Sequence, residues 1–216
     1  MSVINSPIGI HLLTNCSIRN NQYLQFIDDC AKAGITHVQL RQKNWSFPDL
    51  LAFGQDLKSI LSKYQLPLII NDNLKLAAEL DAEGIHLGQS DSKVADARDI
   101  LGPNKIIGLS IESIEELEQA NQLNSINYVA ASAVFASKTK HNLKKIWGID
   151  GLRQFCTLSK HPVIAIGGIN NTNIPSLLTT GINGIAIISA IHEATAPKEY
   201  IYQLKTLLSG TKHESL

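Results

Sequence analysis

The chain has 216 residues, 44% of them hydrophobic, and its 19 Lys and Arg balance 19 Asp and Glu to a formal charge of zero. That length suits one sizeable core, so residues 1–216 read as a single domain. The balanced charge gives no footprint for nucleic acid or an anionic membrane surface.

The longest apolar runs, such as Gly184 to Ser189, are far too short to cross a bilayer, and the first residues lack the basic start and long apolar core of a secretion signal. The chain therefore reads as cytoplasmic. Cys16, Cys30 and Cys156 are odd in number, scattered and without CxxC spacing. They are expected to be reduced small hydrophobes, not a disulfide framework or a zinc site.

From the N-terminus onward the chain repeats one unit: a short apolar run, a polar ending, then an amphipathic stretch of helical period. Strands are predicted at Gly9 to Leu13, Thr36 to Leu40, Pro67 to Ile70, Gly84 to Leu87, Lys105 to Leu109, Asn127 to Ser132, Pro162 to Ile166 and Gly184 to Ile188. Helical patterns run Tyr23 to Gly34, Phe47 to Tyr64, Leu74 to Gly84, Val94 to Leu101, Ser113 to Leu123, Ile149 to Lys160, Ile174 to Gly181 and Lys198 to Leu208. Gly34, Gly84 and Gly181 are expected to end helices in left-handed caps. Short continuous apolar runs between helices signal strands buried on both faces, and eight such units favour a closed (β/α)8, or TIM, barrel over an open doubly wound sheet.

A barrel brings all eight strand C-termini to one mouth. The endings supply Asn15; Gln39, Arg41 and Lys43; Asn71 and Asp72; Gln89 and Asp91; Ser110; Ser137, Thr139 and Lys140; Gly167 and Gly168; and Ser189. Singly, each has a structural reading. Asp72 could be a helix N-cap, Arg41 and Lys43 a solvated strand end, Ser137 to Lys145 a solvated loop, the glycine pair turn chemistry and His86 a core histidine.

Together they suit a phosphorylated ligand. Glycines after strand seven and backbone N–H groups near Ser189 after strand eight form the phosphate site that such barrels often carry. Arg41, Lys43 and Lys140 offer positive charge to a second polyanion. Asp72 and Asp91 would repel that polyanion without a cation between them, and Mg²⁺ suits one or two carboxylates plus phosphate oxygens. The long, Lys-rich connection from Ser132 to Trp147 is expected to act as a lid.

The motifs QLRQK (Gln39 to Lys43), IIND (Ile69 to Asp72), GIHLGQSD (Gly84 to Asp91), IIGLS (Ile106 to Ser110), SKTK (Ser137 to Lys140), IAIGGI (Ile164 to Ile169) and GIAIISAI (Gly184 to Ile191) resemble, in order and over nearly the whole chain, the thiamine-phosphate synthase family. The resemblance implies a (β/α)8 transferase of thiamine biosynthesis. Such enzymes join 4-amino-2-methyl-5-hydroxymethylpyrimidine diphosphate to a thiazole phosphate, giving thiamine monophosphate and pyrophosphate with Mg²⁺ as cofactor.

Carried over position by position, the resemblance makes Asp72 and Asp91 the metal ligands and Lys43, Lys140, Arg41 and Ser110 the catalytic set. Gln39, Leu40, Arg41, Gln42, Lys43, Asn71, Ser110 and Lys140 would bind the pyrimidine diphosphate. Ser137, Lys138, Thr139, Gly168, Ile188 and Ser189 would bind the thiazole phosphate. Partners would be these small molecules, with no nucleic acid and no membrane, and an oligomer is compatible with the sequence.

Two departures from the family pattern, Ala136 before Ser137 and Ile111-Glu112 after Ser110, bear on the shape of the thiazole pocket. A related reading is a thiazole tautomerase-like isomerase, although that group usually lacks the acidic pair retained here as Asp72 and Asp91. A non-catalytic barrel that binds a thiamine precursor is the third reading.

Overall fold

The computed structural model describes residues 9–16, 19–42, 44–136 and 145–210. Eight parallel strands close into a barrel in sequence order, β1 pairing with β8: β1 (Gly9–Leu13), β2 (His37–Leu40), β3 (Leu68–Asn71), β4 (Gly84–Leu87), β5 (Ile106–Ile111), β6 (Tyr128–Ser132), β7 (Val163–Ile166) and β8 (Gly184–Ile187). Helices alternate with them: α1 (Asn21–Ala33), α2 (Phe47–Ser62), α3 (Leu74–Glu79), α4 (Val94–Leu101), α5 (Ile114–Ala120), α6 (Gly148–Leu158), α7 (Ile174–Leu178), α8 (Ser189–His192) and α9 (Pro197–Gly210). The predicted barrel is thus observed. β1 and β4 match the sequence expectation end to end, as does α4.

Each strand presents alternate residues to the two faces. Outward side chains such as Ile10, Leu12, Val38, Leu40, Ile70 and Ile85 join the helices in one large apolar core. Inward residues form a second cluster of Leu13, Ile69, Ile106, Tyr128, Ala130, Ile164 and Ala186 that plugs the barrel. Polar groups share this interior. His11 and His37, register partners on β1 and β2, stack with ring centroids 4.0 Å apart. Tyr128 meets His11 edge-on at 5.6 Å.

Two expected caps are overturned. The helix after β3 stops at Glu79, with Leu80 as its C-cap and Asp81 taking the left-handed turn at φ 45°. Gly84 instead begins β4, where a Cβ would lie 2.5 Å from the Ile106 carbonyl oxygen, so crowding by the next strand demands glycine there. Gly34 caps α1 as expected at φ 106°, whereas α7 ends at Leu178 with the right-handed Thr179 as its C-cap, and Gly181, left-handed at φ 90°, turns the chain only two residues later. The periodic pattern did not delimit α8, a single turn directly after β8.

Candidate active site

Lys43, Ser137, Lys138, Thr139 and Lys140 lie outside the described residues, as does half of the expected lid, residues 137–144. The other candidates gather at the C-terminal ends of the strands.

At the end of β2, Gln39 is buried inside the barrel, two residues along from His37 and therefore on the same face. Leu40 points the other way into the helix-side core, so its backbone is the part facing the mouth. Arg41 donates its backbone N–H to Thr14 Oγ1 at 2.9 Å. Burial lowers the pKa of its guanidinium while Asp72 opposes that shift, and a guanidinium so far above neutrality stays charged. Gln42 clasps the end of β1: in the amide orientation that satisfies both groups, it donates to the Cys16 carbonyl and accepts from the Cys16 N–H, each at 3.0 Å.

The acids occupy neighbouring strand ends. Asn71 closes β3 and donates through Nδ2 to Asp72 Oδ1 at 2.5 Å. Asp72 has φ 63°, a left-handed turn that Asp and Asn adopt more readily than most side chains, and its N–H bonds the His86 carbonyl of β4 at 2.9 Å. It is not the N-cap of α3. Asn73 is, its side chain accepting from Leu76 N–H. Beyond β4, Asp91 folds back so that Oδ2 accepts from Gly88 N–H at 2.7 Å.

Two carboxylates from adjacent strand ends are hard oxygen donors of the kind Mg²⁺ takes when substrate phosphates complete its shell. Among the described residues no cluster of three or more His, Cys, Asp or Glu forms a complete protein cage. Asp72 and Asp91 would be the protein's share of such a metal's shell, with ligand and water oxygens as the rest.

Ser110, near the end of β5, sits where β4 and β5 meet. His86 Nε2 is 2.8 Å from its Oγ, and Gln89 donates to its carbonyl at 2.6 Å. The other ring nitrogen, His86 Nδ1, is 2.9 Å from the Tyr128 hydroxyl. Burial pushes the Tyr128 phenol far above its usual range, so it keeps its proton.

Across the mouth, a pocket of about 410 Å³ opens between β7 and β8. Gly167, Gly168, Ile188 and Ser189 line it, and Arg41 reaches its edge. Both glycines have left-handed φ, 102° and 63°, and a Cβ on Gly168 would lie 2.5 Å from the Ala136 carbonyl oxygen. The expected phosphate glycines and the residues after β8 therefore do meet around one cavity. Sequence reasoning missed Ser132, Ile166, Asn170 and Glu193, which share this lining. Ser132 and Ile166 end predicted strands and were readable from that alone. Glu193 follows α8, whose extent the pattern did not give. Ala136, one of the departures, also faces this pocket, whereas Ile111 is buried in the helix-side core.

Residues 10–191 match the family described as thiamine monophosphate synthase. A thiamine-phosphate synthase of Chlamydia abortus is 41% identical over 91% of this chain and 93% of its own, and one of Vibrio campbellii is 47% identical over 80% and 86%. Among solved structures, a thiamine phosphate pyrophosphorylase from Pyrococcus furiosus superposes with a TM-score of 0.84 at 29% identity, covering 95% of this chain and 97% of that one. A 3-hexulose-6-phosphate synthase shares the fold alone, at 13% identity and a TM-score of 0.68. With a family model matched over residues 10–191, relatives 41% and 47% identical over most of the chain and the same closed barrel, the chain belongs to the thiamine monophosphate synthase family.

Proposed function

We propose that this transferase joins 4-amino-2-methyl-5-hydroxymethylpyrimidine diphosphate to a thiazole phosphate, carboxylated or not, releasing pyrophosphate and forming thiamine monophosphate. The observation that carries the reading is the division of the mouth. A glycine-lined pocket lies at β7 and β8, while Asp72 and Asp91 stand at β3 and β4, with Arg41 between the two regions. One side suits a monophosphate and the other a metal-bound diphosphate.

The pyrimidine would sit over Gln39, Asn71 and Ser110. Its diphosphate would lie toward Arg41, with Lys43 and Lys140 as further cations. Asp72 and Asp91 would hold Mg²⁺, which when bound neutralises charge accumulating on the leaving pyrophosphate. The C–O bond to the diphosphate breaks with its electron pair leaving on oxygen, and the electron-rich aminopyrimidine stabilises the resulting cation. The thiazole nitrogen then supplies the pair for the new C–N bond. No protein nucleophile is needed, so these residues act by electrostatic preorganisation and proximity.

His86 fits a supporting part. With Tyr128 donating to Nδ1, Nε2–H donates to Ser110 Oγ and leaves the serine hydrogen for the ligand. The thiazole phosphate would occupy the pocket of Gly168, Ile188 and Ser189, with Ser137, Lys138 and Thr139 completing it. Balanced charge, scattered cysteines and small phosphorylated substrates support a cytoplasmic location, and no helix among the described residues is long and apolar enough to cross a membrane.

The test is direct. Purified protein given both substrates should form thiamine phosphate and pyrophosphate in equal amounts, and chelation of Mg²⁺ should stop it. Absence of product with Mg²⁺ present, or turnover indifferent to chelation, would overturn the reading.

A further inference from the structure

His192 ends α8 and takes no part in the roles above. The Ile188 carbonyl accepts from the His192 backbone N–H at 3.3 Å and lies 2.8 Å from Nδ1 of the same residue's ring. A carbonyl can only accept, so Nδ1 carries a proton. In the neutral ring Nε2 is then an acceptor, and the Tyr23 hydroxyl at 2.8 Å donates to it. Tyr23 oxygen in turn accepts from Asn15 N–H at 2.9 Å. Every proton is assigned from the β1–α1 turn, across α1, to the end of β8.

The surroundings hold this state. Burial lowers the pKa of His192, against the opposing pull of the Ile188 carbonyl and Glu193, so the ring is neutral near pH 7. Burial likewise raises the Tyr23 phenol, which keeps its proton. Phe26 flanks the imidazole at 5.0 Å and the Tyr23 ring stacks at 5.8 Å.

The bonded carbonyl belongs to a peptide that walls the pocket, since Ile188 and Ser189 both line it. A trans peptide is rigid and its C=O and N–H point in opposite directions. Drawing the Ile188 carbonyl back along α8 therefore turns the Ser189 N–H outward from the turn. We propose that His192, braced by Tyr23, is a positioning residue for the pocket between β7 and β8: it locks the Ile188–Ser189 peptide that forms one wall, and ties that wall through Asn15 to the neighbouring β1–α1 turn. The inference rests on reading this pocket as the thiazole phosphate site.

Three variants of the full-length protein dissect the chain. His192→Phe keeps a ring beside Phe26 but removes both hydrogen bonds. His192→Asn keeps an N–H donor near the Nδ1 position, and Tyr23→Phe keeps the aromatic packing while deleting the brace. Calorimetric titration with the thiazole phosphate should show about tenfold weaker binding for His192→Phe, the weight of one well-made hydrogen bond. The Asn variant should recover most of that loss, and Tyr23→Phe should fall between.

KM for the pyrimidine diphosphate should stay within about twofold of wild type in all three, as expected for residues that act on only one subsite. A merely structural histidine would instead weaken both substrates together and gain nothing from Asn. That pattern, or unaltered thiazole phosphate binding in His192→Phe, overturns the proposal. If the wild-type protein itself fails to bind the thiazole phosphate, the assignment of the pocket falls first and the proposal with it.

Discussion

Asn73 carries the capping of α3, so helix capping does not account for Asp72 beside it. Asp72→Asn preserves a residue at ease with φ 63° and keeps an oxygen for the Asn71 amide. Thermal unfolding should hardly move. The Mg²⁺ concentration for half-maximal turnover should rise at least about tenfold, since even groups behind metal ligands carry that much affinity. Asn73→Ala should do the reverse, losing about 1 kcal/mol of stability with an unshifted Mg²⁺ titration.

His86 was readable only as a core histidine, and it is buried as such. Its bonds to Tyr128 and Ser110 come from β5 and β6, and no local pattern announces a pairing between strands. Tyr128→Phe removes one of those bonds in the barrel interior. We expect a stability loss of about 1–3 kcal/mol by chemical denaturation, together with a raised KM for the pyrimidine diphosphate as Ser110 loses its alignment.

Among the elements, strands were legible nearly residue by residue because burial on both faces leaves an unbroken apolar run that polar residues end abruptly. Helix ends were less so. The pattern of α3 continues past Glu79 because Leu80 and Ala82 are also buried, yet the Asp81 turn redirects the chain. Apolarity marks burial without saying which element supplies it.

Of the site, the glycine pair after β7 and the acids after β3 and β4 showed in sequence because their chemistry is unusual at strand ends. The pocket joins the ends of β6, β7 and β8 to Leu13 and Arg41 across the closing seam, and that assembly was legible only through the barrel. Gly168→Ala tests that assembly. Its methyl would press on Ala136 and Phe135 at a φ of 63°, forcing the β6 and β7 loops apart. Thiazole phosphate should bind more weakly in titration, with the pyrimidine diphosphate little affected. The strained backbone should lower stability by about 1–3 kcal/mol.

For the molecule as a whole, the stacked histidines inside the barrel make stability depend on pH. Burial, with His11 adding to it, holds the pKa of His37 well below the ordinary value of 6.5, and among the described residues its Nε2 has no hydrogen-bond partner. The folded protein therefore keeps His37 neutral, whereas the unfolded chain takes up a proton near pH 6.5. This contribution is fully present above pH 6.5 and is lost as pH falls toward the folded pKa, at up to about 1.4 kcal/mol per pH unit. Urea unfolding between pH 7.5 and 5 should show that slope, and His37→Phe should flatten it; an unchanged slope in the variant would refute the assignment.

The seam between β1 and β8 pairs Gly9 with Gly184, residues near opposite ends of the chain, and α9 packs against both β1 and α1 across it. On a ribosome, β1 emerges first and waits while seven further strands are made. Until β8 clears the exit tunnel, the nascent sheet is open, with the backbone N–H and C=O groups of β1 unpaired along one edge and those of the newest strand along the other. Synthesis at about 5–20 residues per second makes that interval on the order of ten seconds. The pocket walled by β7 and β8, and the Tyr23–His192 bond that spans the seam, can form only once β8 has emerged, whereas the bonds of Asp72 to His86 and of His86 to Ser110 need only β3 to β5.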